Sequence, residues 1–143
     1  MLISTKGRYA LRVLIDMAEH SGSDYIKLKD IAERQEISEK YLESIVKVLV
    51  KNQIVEGLRG KGGGYRLSKG PDEIIVGEIL RIMAGGLAPV ACMEETNLPC
   101  PKVSECRTRE FWRGLDETIR RYTDNFTVAD LTRTDSAGYD YII

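Results

Sequence analysis

The chain has 143 residues, 43% hydrophobic and 30% charged, enough for one ordinary domain with its own core but not for two large ones. No apolar run reaches the roughly eighteen residues that span a bilayer, and the opening Met1 to Lys6 lacks the apolar stretch and cleavage site of an export signal, so a cytoplasmic protein with no membrane partner is expected. The net charge of -1 conceals an asymmetry: residues 1–70 carry 13 Lys/Arg against 9 Asp/Glu, residues 71–143 carry 8 against 13, and only the first half suits an anionic partner.

Ala10, Val13, Leu14 and Met17 recur at the spacing that places them on one helical face, predicting a helix over about Thr5 to His20. Ser21 to Asp24 break it, and a second helix follows over about Leu28 to Gln35 with Leu28, Ile31 and Ala32 turned inward. Its start is poorly marked, because Lys27 stands where a capping Ser or Asp is expected. Ser38 can cap a third helix over about Glu39 to Asn52, whose Leu42, Ile45, Val46 and Leu49 repeat the pattern. Two short helices joined so tightly form a helix-turn-helix, the second of which can lie in a DNA major groove.

Two strand-like runs, Ile54 to Arg59 and Tyr65 to Ser68, flank glycine-rich Gly60 to Gly64 and predict a β-hairpin, the wing of a winged helix. A fourth helix is expected over Val76 to Ala84. From Gly85 to Glu105 periodicity disappears, and Pro89, Pro99 and Pro101 punctuate a loop that carries Cys92 and Cys100 and ends against Cys106, so that all three cysteines gather in it and at its end. A last helix over about Cys106 to Asn125 shows a stripe of Phe111, Leu115, Ile119, Tyr122 and Phe126 that nothing else in the chain is expected to cover, which implies a homodimer. The expected division is therefore 1–84 for DNA binding, 85–105 for the cysteine loop, 106–131 for the dimerisation helix and a short following helix, and 132–143 for a tail. The fold class is mainly α with a small β-hairpin.

An odd number of cysteines within fifteen residues argues against a disulfide framework. Three soft ligands on a loop suit an iron-sulfur cluster or zinc, with thiol redox chemistry as the other reading. Cys106 at a helix start would have a lowered thiol pKa, and prolines on both sides of Cys100 would hold it extended and exposed. Glu94, Glu95 and Glu105 are candidates for a fourth ligand by proximity. Enzymatic use of the glycine run is not expected, because Gly60 to Gly64 is not followed by a helix and matches neither phosphate-binding pattern. His20, the one histidine, falls at a helix end and reads as a solvated or dipole-favoured residue rather than a catalyst.

Ile3-Ser4-Thr5-Lys6-Gly7-Arg8-Tyr9-Ala10, Ile37-Ser38-Glu39-Lys40-Tyr41-Leu42-Glu43, Arg59-Gly60-Lys61-Gly62-Gly63-Gly64-Tyr65 and Gly77-Glu78-Ile79 together resemble the Rrf2 family of winged-helix transcriptional regulators, over essentially the whole chain. The resemblance implies a dimeric regulator, most often a repressor, of iron-sulfur or cysteine metabolism genes, bound to a double-stranded operator. It implies Arg8, Lys29, Ser38, Lys40, Tyr41, Glu43, Arg59 and Lys61 as DNA contacts. The chemistry agrees: Lys40 can meet a phosphate or a guanine edge, Glu43 can accept from cytosine N4, and Arg59 and Lys61 suit the narrow minor groove.

In the iron-sulfur-sensing members, three cysteines of this loop ligate a 2Fe-2S cluster, which the resemblance carries to Cys92, Cys100 and Cys106. The intervals here are seven and five residues, the first longer than in the best-known members. Arg109 stands where one member supplies a histidine and Arg8 where another supplies an acid, so the fourth ligand is left open. The ending Tyr139-Asp140-Tyr141-Ile142-Ile143 resembles that of the cysteine-metabolism members, which implies cysteine synthase as an alternative partner, in a regulator without a cluster.

Overall fold

The computed structural model describes residues 3–132 apart from 21, 23 and 96. The C-terminal tail, and with it the ending proposed for cysteine synthase, lies outside the described residues. Helix α1 spans Thr5–His20, α2 Leu28–Gln35 and α3 Glu39–Lys51. The apolar faces read from the sequence are the ones buried: Ala10, Val13, Leu14 and Met17 of α1 are fully inaccessible, as are Leu42, Ile45 and Leu49 of α3. Each such aliphatic side chain larger than alanine contributes on the order of 1.5–3 kcal/mol of transfer free energy, which outweighs the modest helix propensity of these sequences. The Ser38 hydroxyl accepts from the Tyr41 N–H at 3.2 Å and starts α3 as expected. Lys27 gives α2 no side-chain cap.

Strands β1 (Val55–Leu58) and β2 (Gly64–Leu67) form an antiparallel hairpin in the register Val55 to Leu67 and Leu58 to Gly64. Its tip is closed by the Gly63 N–H donating to the Gly60 carbonyl at 3.0 Å. The hairpin also pairs with the segment before α2: Ile26 and Tyr65 exchange both backbone hydrogen bonds at 2.8 Å. Gly64 is required at this crossing. Its φ is +148°, and a Cβ there would collide with the Ile26 carbonyl.

A 3-10 turn at Pro71–Glu73 leads into α4, Val76–Ala84, after which a second such turn, Ala91–Met93, interrupts the cysteine loop. Helix α5 spans Arg109–Asp124 and α6 Val128–Leu131. The expected start at Cys106 is therefore three residues early. The chain is in turn conformation up to Thr108, which precedes the helix without a side-chain cap bond. Val128 of α6 is fully buried in the main core, and the chain beside it pairs with the entry to α4 through Val76 N–H to Phe126 O and Val128 N–H to Ile74 O, both 2.9 Å.

The stripe on α5 divides. Ile119, with Phe126 just beyond the helix, packs on Val76, Leu80 and Leu87, so α4 does cover part of a face expected to lack any intramolecular partner. Phe111 and Tyr122 remain 66% exposed and Leu115 37%.

Candidate functional site

Helix α3 presents Lys40, Glu43, Ser44 and Lys47 outward, opposite its buried Leu42, Ile45, Val46 and Leu49. Between this face and the hairpin runs a groove of about 630 Å³ lined by Glu39, Glu43, Lys47, Val50, Leu58 and Arg59, among others. Lys47 was not singled out in the sequence, although its position one turn beyond Glu43 and two beyond Lys40 places it on the same face. Arg59 and Lys61 are exposed at the wing, and Lys29 is exposed in the first turn of α2. Ser38 is occupied in capping α3. Tyr41 is only half-exposed, its ring edge-on to Tyr9 at 5.8 Å, which brings the beginning of α1 beside the N-terminal turn of α3. Arg8, adjacent to Tyr9, is exposed there, with Nη2 donating to the Thr5 hydroxyl at 3.5 Å.

The orientation of this unit depends on a carboxylate that sequence periodicity does not reveal. Asp16 of α1 is 1% exposed, yet it accepts from Arg34 Nη2 at 2.7 Å and Nε at 3.0 Å, and from Gln35 Nε2 at 2.9 Å. Burial pushes its pKa up, but the hydrogen bonds from Arg34 and Gln35 and the charge of Arg34 outweigh this, leaving Asp16 below the ordinary carboxylate value. Arg12 reaches the same end of α2 through the Gln35 side chain and carbonyl. These bonds fix α2 on α1. His20 sits beside the cluster, its side chain 44% exposed and its Nδ1 2.9 Å from the Asp16 carbonyl.

The three cysteines are free thiols that line one pocket of about 230 Å³ with Met93, Asn97, Pro99, Val103 and Arg109. No three His, Cys, Asp or Glu side chains among the described residues stand close enough to hold a metal ion as they are. Cys92 and Cys106 are exposed and Cys100 is partly buried. Cys100 ends a stretch, 98–100, that is in neither helix nor turn, and from Pro101 the chain folds into turns, with Val103 N–H donating to the Cys100 carbonyl at 3.0 Å. Cys106 is not part of α5 but lies three residues before its first residue, facing its N-terminal end. Its thiol is held below its usual value, first by the Thr108 hydroxyl at 3.5 Å, then by the backbone N–H groups of Thr108 and Arg109 and by the Arg109 charge.

The donor chemistry fits a soft metal centre: three thiols, one of them activated, with an arginine able to offset the charge of thiolates. Glu94, Glu95 and Glu105 are not among the described residues that line this pocket. Glu95 instead accepts from Arg120 at 2.8 Å, and Glu94 lies against Gly86.

Comparison with known proteins begins with a family model that matches residues 3–134, that of Rrf2, described as an iron-dependent transcriptional regulator. The chain belongs to the Rrf2 family. Protein rrf2 of Nitratidesulfovibrio vulgaris is 39% identical over 133 residues, covering 93% of this chain and 88% of the relative. The structure of CymR, the global cysteine regulator of B. subtilis, matches with a TM-score of 0.74 at 35% identity, over 92% of this chain and 95% of that one. T. potens IscR matches with a TM-score of 0.73 at 34% identity, over 99% and 96%. As an Rrf2 protein, the chain is a winged-helix transcriptional regulator and not an enzyme. Among the described residues, no helix is long and apolar enough to cross a membrane.

Proposed function

We propose that this protein is a homodimeric repressor in which residues 1–84 read an operator, and in which Cys92 and Cys100 of the 85–105 loop, with Cys106 directly after it, bind an iron-sulfur cluster that adjusts DNA affinity. In this reading the exposed Phe111, Leu115 and Tyr122 of α5 pack on the same face of a second copy. Burying such aromatic and aliphatic side chains is the common basis of two-fold assembly. Dimerisation sets the separation of two recognition helices, which must match one duplex turn of about 34 Å. Lys40, Glu43 and Lys47 then face base edges and phosphates, while Arg59 and Lys61 enter the minor groove and Arg8, Lys29, Ser38 and Tyr41 contact or support the backbone-binding surface.

The observation that carries the sensing half of the proposal is the common pocket of Cys92, Cys100 and Cys106. A 2Fe-2S cluster held there would require the loop to contract around it, because the thiols do not yet stand at ligand distances from one another. The proline-punctuated turns and the exposure of Cys92 and Cys106 leave room for that movement. When bound, the cluster supplies redox and iron sensitivity. The chain supplies three thiolates, the Arg109 charge, and a loop whose closure can be felt by α5.

Anaerobic reconstitution followed by visible absorption and by iron and sulfide analysis tests this. The expected result is a coloured protein with two irons per chain that is lost in a Cys92→Ser, Cys100→Ser, Cys106→Ser variant. A colourless, iron-free protein, with DNA affinity unaltered by the three substitutions, contradicts it and leaves a regulator without a cluster.

A further inference from the structure

Between the cysteine loop and the two helices that follow the wing lies another pocket, of about 210 Å³, whose lining includes Arg81, Gly86, Glu94, Glu95 and Arg120. The Arg120 guanidinium of α5 links one side of this lining to the other. Nε donates to Asp116, one turn earlier, at 3.1 Å, and Nη1 donates to Glu95 of the loop at 2.8 Å. Asp116 is only 9% exposed, the one buried residue of α5, so it fixes the guanidinium and leaves the other edge to face the loop. Glu95 stands three residues beyond Cys92, on the far side of the 3-10 turn that carries that thiol.

The next turn of α5 repeats the arrangement toward the DNA-binding half. Asp124, four residues after Arg120, accepts from Arg81 Nη2 of α4 at 2.9 Å. Here α4 and α5 touch through Gly77, where a Cβ would collide with the Asp124 carboxylate. Two successive turns of one helix therefore carry two arginine-carboxylate bridges. One reaches the thiol loop; the other reaches the helix that packs on α1.

We infer that Arg120 is a positioning residue for the thiol loop: held by Asp116, it latches Glu95, and so ties the placement of Cys92 to α5 and, through Asp124 and Arg81, to the DNA-binding lobe. The inference rests on the cysteines being the sensing site. Glu95 is 77% exposed at its side chain and Arg120 35%, so the bridge is a weak one in water. A weak bridge suits a latch, because contraction of the loop around a bound group can make or break it, whereas a deeply buried pair would hold the loop in one position.

The test is a double-mutant cycle on the full metal-free chain, with Glu95→Gln, Arg120→Gln and the double variant, followed by hydrogen exchange of backbone amides. Glu95→Gln, on a mostly exposed side chain, should speed exchange in residues 91–97 about two- to fivefold in the wild-type background and have no effect in the Arg120→Gln background. Acceleration that is equal in both backgrounds, or absent from both, overturns the latch. A second arm uses a duplex selected by the protein from a random pool. In Glu95→Gln the ratio of iron-loaded to metal-free affinity should move toward one, and an unchanged ratio overturns the coupling to DNA. A protein that takes up no iron defeats the cluster reading instead, and the exchange cycle still decides the latch.

Discussion

Replacing Asp16 with Asn isolates the bond system that sets α2, and through it α3, against α1. The carboxylate is inaccessible and accepts from three donors, two on Arg34 and one on Gln35. Removing one partner of a fully buried pair costs about 3–5 kcal/mol. The Arg34 side chain is 34% exposed and recovers part of its solvation from water, which lowers the expectation to about 2–3 kcal/mol. For a chain of this length that is a fall of about 10 °C in melting temperature. The pH dependence has a definite sign. Because the folded-state pKa of Asp16 lies below its unfolded value, its stabilising contribution is present above about pH 4 and is lost as pH falls through the folded value. Urea titrations of both proteins from pH 7 to pH 2.5 should show a constant gap above pH 5 that narrows in acid. A variant within about 0.5 kcal/mol of wild type at pH 7, or a gap that does not narrow, refutes the reasoning.

Three other outcomes follow from the same structure. Gly64→Ala should destabilise the hairpin by at least about 1 kcal/mol and weaken DNA binding, because it drives the wing away from Ile26; circular dichroism melts and a gel-shift titration read both. Arg59→Ala, which removes one cation from the surface facing the minor groove, should lower affinity and reduce the slope of log affinity against log salt by about one; titrations at four salt concentrations measure it, and an unchanged affinity and slope take Arg59 out of the contact. Leu115→Glu, on the exposed face of α5, should shift sedimentation from dimer to monomer without changing the far-ultraviolet spectrum of the lobe; a variant that sediments as wild type removes α5 from the interface.

The first four helices were legible because each has an apolar face that the core buries, so period and packing state the same thing. The wing was legible from its glycines, but the Ile26 pairing that secures it was not, since a single bridging residue has no period. Asp16 was hidden for a different reason: a carboxylate in an apolar stretch carries no sign of an arginine eighteen residues away. The start of α5 was placed too early because neither Cys106 nor Thr108 marks it with a capping side chain, and backbone turns absorb the intervening residues. Part of the α5 stripe was read as wholly intermolecular because nothing local shows that α4 crosses it at Gly77. The cysteines were legible as a group, since one pocket contains them all, but their surroundings were not. Glu95 is drawn to Arg120, an attraction set by tertiary structure rather than by distance along the chain.

The most direct measurement of the central claim is a pair of binding isotherms at fixed salt, iron-loaded and metal-free, on a duplex that the protein itself selects. An effector that acts on a second site shifts affinity by about 5- to 150-fold, and the two curves should separate by a factor in that range. Superimposed curves from a protein carrying its full complement of iron would contradict the account.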